Sequence, residues 1–375
     1  MASRHPFRFP LMGLGMIALM AGMWGGLVRV GWDFPVMRPT LPGAHGPLMV
    51  SGFLGTLIGL ERAVALGQRW TYGGPLLTGL GALALIAGLP GVVGPQLLGL
   101  GSLALVAMFA TIVRRRPGLS ETIMGLGAVA WLVGNILWLA GWPIYSLVPW
   151  WAGFLVLIIA GERLEMSRFL APSRASRTAF LVAIGLLLGG LILSVRAADP
   201  GARISGLGLL ALAVWLLRHD MARRAARGGG LTRFVALSLL SGYLWLGVAG
   251  LLGVGLGGLV AGPYYDAWLH AIFLGFVFPM IFGHAPIIFP AVLGMAIPYR
   301  PVFYAHLVLL HASLILRVGG DLAGWWPGRR WGGLLNVVAV VFFLINTALS
   351  GARGRLHEPA VASGGRAVHV DSGSA

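Results

Sequence analysis

Long apolar segments separated by short polar ones dominate the chain, and this pattern predicts an integral membrane protein. An α-helix needs about 20 apolar residues to cross a bilayer core of roughly 30 Å. Twelve segments approach or reach that length, the fourth and eighth being the shortest. We therefore expect an all-α fold of about twelve transmembrane helices. The predicted spans are residues 10–30, 44–66, 73–93, 96–113, 120–141, 146–166, 178–195, 202–218, 234–257, 267–290, 301–318 and 331–349.

The distribution of arginine predicts the orientation of these spans. All 27 basic residues are arginines. If the N-terminus is cytoplasmic, 20 of these 27 lie on the cytoplasmic side and 7 on the outer side. Because cytoplasmic loops of membrane proteins are enriched in basic residues, both termini are predicted to be cytoplasmic, in a bacterial inner membrane. Residues 351–375 show no periodicity and are predicted to form a disordered cytoplasmic tail.

Composition excludes several classes of protein. A chain that is 58% hydrophobic and only 10% charged does not suit a soluble domain, which carries about 25% charged residues. The lipid bilayer is therefore the first predicted partner. The net charge of +16 is spread over short loops, which argues against a nucleic-acid partner. The chain has no cysteine, so that histidine, carboxylate or methionine must bind any metal.

A short motif recurs in spans 2, 6 and 10, each four spans apart. In each, a Gly-Phe pair is followed after seven residues by an ionisable side chain. Such recurrence predicts an internal repeat of three four-helix units, at residues 10–113, 120–218 and 234–349, around a pseudo-threefold axis. The ionisable residues would then lie at equivalent depths near the cytoplasmic side. The motif runs from Gly52 to Glu61, from Gly153 to Glu162 and from Gly275 to His284.

Histidines in or near the spans are the first candidates for chemistry, because ionisable residues are costly inside a bilayer. His45 begins span 2 from the outer side, and His270 lies one turn into span 10 from the same side. Two imidazoles at one depth can supply both axial ligands of a b-type haem. The alternative is that His45 lies in interfacial water. The five candidates are His45, His270, His284, His306 and His311.

A second group of candidates lies nearer the cytoplasmic side. In a regular α-helix, His284 would lie on nearly the same face as His270 and about 21 Å away, which suits two stacked cofactor sites. Imidazole and carboxylate together suit copper, iron or zinc, a second haem, or a proton path. The two glutamates could equally form ion pairs with neighbouring arginines. This inner group comprises His284, His306 or His311, Glu61 and Glu162.

Several of these motifs resemble the NnrS family, membrane proteins that contain haem and copper and are linked to nitric oxide. The resemblance rests on His5-Pro-Phe-Arg-Phe before span 1, on His45 followed by Gly52-Phe53, and on the stretch from His270 to Arg317. It implies one or two haems b, with copper as a further candidate. It also implies nitric oxide as a ligand, a redox partner, and a haem-dependent oxidoreductase acting on nitric oxide.

Two features depart from that family. Only one histidine precedes span 2, where the family has two, and Gly283-His284 is followed by Ala-Pro rather than Thr-Gly-Arg. A more distant similarity is to subunit I of the haem–copper oxidases, in which twelve spans hold a haem between spans 2 and 10. Span 6 has no histidine and span 7 has no His-His pair, so an oxygen-reducing centre is not expected.

Two other classes of function also fit the sequence. Repeats, intramembrane carboxylates and proline-interrupted helices occur in secondary transporters. A proton-coupled transporter would use Glu61, Glu162 and His284. The third candidate is an assembly subunit that holds no cofactor of its own.

Overall fold

Twelve helices long and apolar enough to cross a membrane make up the computed structural model, which describes residues 7–36, 38–170 and 173–356. No strand occurs in these ranges. The predicted all-α membrane class is confirmed, and the fourth and eighth spans prove to be full-length helices of 23 and 22 residues. The spans are Arg8–Arg29, His45–Leu66, Arg69–Ala87, Val93–Arg115, Leu119–Leu139, Ile144–Ser167, Arg174–Ser194, Ala198–His219, Gly230–Leu256, Pro263–Leu293, Phe303–Leu322 and Trp326–Arg353.

Local sequence explains where several spans begin and end. Span 7 begins after Ser173, whose Oγ accepts a hydrogen bond from the backbone N–H of Ser176 at 3.2 Å. Such a cap satisfies a donor that the first helical turn leaves free. Spans 2 and 3 end at Gly67 and Gly88, with φ of 66° and 67°. A residue with a side chain would be strained there, so glycine stops both helices.

Spans 2 and 10 are interrupted by π-helical turns, whereas span 6 is continuous α-helix. The π-helical turns are Leu48–Leu54 and Ala271–Val277, seven residues each. Gly52-Phe53 and Gly275-Phe276 occupy the fifth and sixth positions of their turns. The sequence repeat between these two spans is therefore matched by a repeat in backbone conformation.

Spans 2, 6 and 10 form the centre of the bundle. The buried share of their apolar windows is 61%, 72% and 67%, whereas no other span exceeds 56%. Phe53 of span 2 packs against Phe278 of span 10, with ring centroids 6.3 Å apart. The repeated motif thus marks the three innermost helices, and the division into three four-helix units stays a prediction.

Glycine lets neighbouring helices approach closely. A Cβ atom at Gly206 of span 8 would lie 2.7 Å from the backbone nitrogen of Val254 in span 9. A Cβ at Gly250 would lie 2.6 Å from the nitrogen of Leu210. Small residues at such crossings are the usual means of packing helices in lipid.

The last helix, Trp326–Leu356, continues six residues past residue 350, into the predicted tail. The remainder of that tail, residues 357–375, lies outside the described residues, as do His5 and Pro6 of the motif before span 1. The cytoplasmic placement of the termini stays a prediction.

Candidate functional site

A cavity of about 480 Å³ lies between spans 1, 2, 6, 10, 11 and 12, near their predicted outer ends. This volume is in the range typical of small-molecule and cofactor sites. Aliphatic and aromatic side chains form most of its wall. Its polar lining includes His45 and His270, together with Asp266 and three arginines, Arg29, Arg317 and Arg329. The two histidines that the sequence placed at one depth therefore share one cavity.

Both histidines are oriented by the same kind of backbone contact. His45 Nδ1 lies 2.7 Å from the carbonyl oxygen of Gly22, and His270 Nδ1 lies 2.8 Å from that of Asp266. A carbonyl oxygen can only accept, so in both rings Nδ1 carries the proton and donates it. Nε2 of a neutral imidazole then has a free lone pair, which is the form that binds a metal ion. Each ring thus presents a ligand atom, and its contact with the backbone limits its rotation.

Span 1 forms the support on which His45 rests. An ideal Cβ at Gly26 would lie 2.8 Å from both Cε1 and Nδ1 of the His45 ring. The ring therefore lies directly against the backbone of span 1, with the Gly22 carbonyl one turn away. Any side chain at position 26 would have to displace the imidazole.

The π-helical turns begin just after these histidines. The turn Leu48–Leu54 starts three residues after His45, and Ala271–Val277 starts immediately after His270. A π-helical turn accommodates an additional residue and rotates the remainder of the helix, and such turns occur frequently at functional sites. The expectation that His270 and His284 share a face assumed an uninterrupted α-helix. The Ala271–Val277 turn invalidates that assumption.

A network of acids and arginines lies beside His270. Asp266 accepts hydrogen bonds from Arg317 Nε at 3.0 Å and Nη2 at 3.1 Å. Arg329 lies 3.7 Å from Asp266 and 3.2 Å from Asp321. Arg317 and Arg329 thus pair with two carboxylates, and the third arginine, Arg29, forms no ion pair within the described residues. The cavity wall therefore carries positive charge in excess.

Sequence reasoning missed this network because it assigned the arginines to outer segments. Arg317 and Asp321 lie within span 11, and Asp266 within span 10. Arg317 is only 7% exposed and Asp321 only 1% exposed. Arg317 could have been recognised, because it lies inside the predicted span 301–318 and charged residues within spans are themselves candidates for function.

The other three candidate histidines lie in separate environments. His284 Nδ1 contacts the carbonyl oxygen of Met280 at 2.7 Å, and His284 is not part of the cavity lining. His306 is buried against several phenylalanine rings, with Phe282 closest at 4.9 Å. His311 accepts from Trp245 Nε1 at 3.1 Å and donates to Ser241 at 2.9 Å. Because both nitrogens of His311 have protein partners, this residue joins spans 9 and 11.

Glu61 and Glu162 both form ion pairs with Arg62. Arg62 Nη2 lies 3.3 Å from Glu61 and also donates to Glu162, which links spans 2 and 6. Arg163 instead faces Asp220, at 3.9 Å. The described residues contain no group of three or more histidines or carboxylates that could hold a metal ion. The inner group is therefore not assembled as one metal centre, and a second cofactor there stays a prediction.

Comparison with known proteins identifies a family but no activity. The model of a family described as a domain of unknown function, DUF8744, matches residues 8–352. That match covers eleven spans completely and the twelfth except for its last residue. No curated protein and no solved structure gives a significant match.

Proposed function

The chain belongs to the DUF8744 family, and we propose that it is a membrane protein that binds haem b between spans 2 and 10. One observation carries the proposal: two imidazoles with Nδ1 directed to backbone carbonyls line one cavity. Two neutral histidines are a common axial pair for a b-type haem. His45 and His270 would be the ligands.

The remainder of the cavity also suits haem. Its volume, its aliphatic and aromatic wall, and its excess of arginine match a flat apolar macrocycle that carries two carboxylates. Arg29, which has no carboxylate partner within the described residues, would hold one of those carboxylates, because guanidinium groups bind carboxylates in bidentate fashion. Haem would supply one-electron chemistry and, where a ligand position opens, binding of a small gas.

The biological role that we propose is the response to nitric oxide or its redox handling. Similarity of the motifs around His45 and His270 to the NnrS family supports this role. The inner membrane is the proposed location, with both termini in the cytoplasm, in agreement with the arginine bias. Copper at His284 is a further part of the proposal, because a neutral imidazole suits copper.

The test is an optical spectrum with haem and metal analysis of protein purified in mild detergent. We expect one haem b per chain, a Soret band, and the low-spin spectrum of two histidine ligands. Addition of nitric oxide to the reduced protein should shift that band. A colourless protein would contradict the proposal. A colourless protein whose proton-coupled flux in liposomes is abolished by Glu162→Gln would instead be a transporter.

Substitution at Gly26 tests the support beneath His45. We expect Gly26→Ala to lower haem occupancy at least several-fold, because the new methyl group would overlap the imidazole ring. Gly13→Ala in the same helix is the matched control, since a Cβ at Gly13 meets nothing within 4 Å. Haem per chain and melting temperature are measured for both. Equal haem content in the two variants would mean that span 1 does not position the ligand.

A further inference from the structure

A second cavity, of about 410 Å³, lies where span 8 leaves the apolar core, at the predicted cytoplasmic end of the bundle. Its lining includes four arginines, one histidine and one acidic residue. Span 8 ends at His219 and span 9 begins at Gly230, so these side chains lie in the last turn of span 8 and in the link between the two spans. The charged lining residues are Arg218, His219, Asp220, Arg223, Arg224 and Arg227.

Asp220, the acidic residue in this lining, does not neutralise the charge of the four arginines. The Asp220 side chain is fully buried and faces Arg163 of span 6 at 3.9 Å. Asp220 Oδ1 also accepts a hydrogen bond from the backbone N–H of Ala222 at 2.7 Å. This contact fixes the turn into the short helix Ala222–Ala225. The carboxylate is thus used to shape the link and to pair with Arg163.

Among the residues that the structure describes, the four guanidinium groups have no protein partner. Within the described part of the chain, none of them forms a hydrogen bond, an ion pair or a stacking contact. Four like charges around one cavity repel one another unless an anion is bound. Arginine also binds phosphate oxygens more specifically than lysine does, because its planar fork can donate two parallel hydrogen bonds.

We propose that this cavity binds the phosphate of an anionic membrane lipid. The position favours a lipid over a free anion, because lipid phosphates lie at the level where a transmembrane helix leaves the hydrocarbon core. Basic pockets between transmembrane helices on the cytoplasmic side are known to bind acidic headgroups. Ala222 is buried and anchors the link, while Met221 beside it is 36% exposed and available to acyl chains. The site is separate from the haem cavity and does not depend on it.

The test compares the double variant Arg223→Gln/Arg224→Gln with Arg115→Gln/Arg116→Gln. Arg115 and Arg116 lie at the end of span 4 and are also exposed. Their substitution removes the same charge, also on the predicted cytoplasmic side. Nanodiscs contain phosphatidylcholine alone or with phosphatidylglycerol, and native mass spectrometry counts the phosphatidylglycerol retained. We expect the first variant to weaken phosphatidylglycerol binding about tenfold or more. The control should bind nearly as the unmodified protein does, and Arg223→Lys/Arg224→Lys should bind with intermediate affinity, because it keeps the charge but loses the planar fork.

Two outcomes would overturn the proposal. Equal losses in both glutamine variants would indicate attraction to the bilayer surface without a site. The second outcome is measured as melting temperature in lipid-free detergent. Inorganic phosphate would raise the melting temperature as much as phosphatidylglycerol does, and Arg223→Gln/Arg224→Gln would abolish both increases. That result would indicate a soluble anion instead. All of the substituted side chains are exposed, so the variants should fold, and circular dichroism verifies their helix content.

Discussion

Replacement of His270 by alanine is expected to abolish stable haem binding. His270 lines the cavity, and its Nδ1 contact with the Asp266 carbonyl limits rotation of the ring and leaves Nε2 free to bind a metal ion. In the proposed site, the loss of His270 would leave His45 alone to hold the haem. We expect the haem content to fall at least tenfold, and any residual Soret band to be that of high-spin haem. His45→Ala should have the same effect.

His219→Ala is the matched control for these two variants. His219 Nδ1 also contacts a backbone carbonyl, that of Trp215 at 3.1 Å, but the residue lies at the opposite end of the bundle. Its loss should leave the spectrum unchanged. Imidazole added to His270→Ala should enter the vacated space and restore the low-spin spectrum. An unchanged spectrum in His270→Ala would exclude His270 as a ligand.

The twelve spans could be predicted because helix length and apolarity alone define them. Spans 4 and 8 were predicted too short, because Arg114 and Arg115 lie in the last turn of span 4 and Asp199 lies in the first turn of span 8. In the structure, both helices continue through these charged residues. The shared depth of His45 and His270 also followed from counting residues inward from the predicted outer side.

Other features depend on contacts that a linear pattern does not contain. The π-helical turns change the phase of span 10, so that no α-helical projection could place His284 relative to His270. The partners of His311 come from span 9, at Trp245 and Ser241, which are 66 and 70 residues away in sequence. Only tertiary structure shows that this histidine is fully hydrogen-bonded.

The spacing of the Gly-Phe pairs predicted structural features that the glycine content alone does not. The Gly-Phe pairs of spans 2 and 10 proved to mark equivalent positions of two π-helical turns. The pair in span 6 lies in regular helix and packs its Phe154 on Trp131, with ring centroids 4.7 Å apart. The repeat thus specifies a central position in all three spans, while the backbone conformation differs in one.

Removal of Arg62 is expected to have the largest effect on stability. Its guanidinium group joins Glu61 and Glu162, and thereby the inner ends of spans 2 and 6. The Arg62 side chain is only 15% exposed. Arg62→Ala would leave two carboxylates facing each other without their cation. We expect a loss of about 2–3 kcal/mol, between the values for surface and fully buried pairs, seen as a melting temperature lower by several degrees.

Arg69→Ala is the control, because Arg69 is exposed at the start of span 3 on the same side of the bundle. The triple variant Glu61→Gln/Arg62→Ala/Glu162→Gln should recover most of the lost stability, since it removes the repelling charges together with their cation. Haem content should not change in any of these variants, because Arg62 and the cavity lined by His45 lie at opposite ends of span 2. A melting temperature of Arg62→Ala equal to that of Arg69→Ala would show that the ion pairs do not hold spans 2 and 6 together.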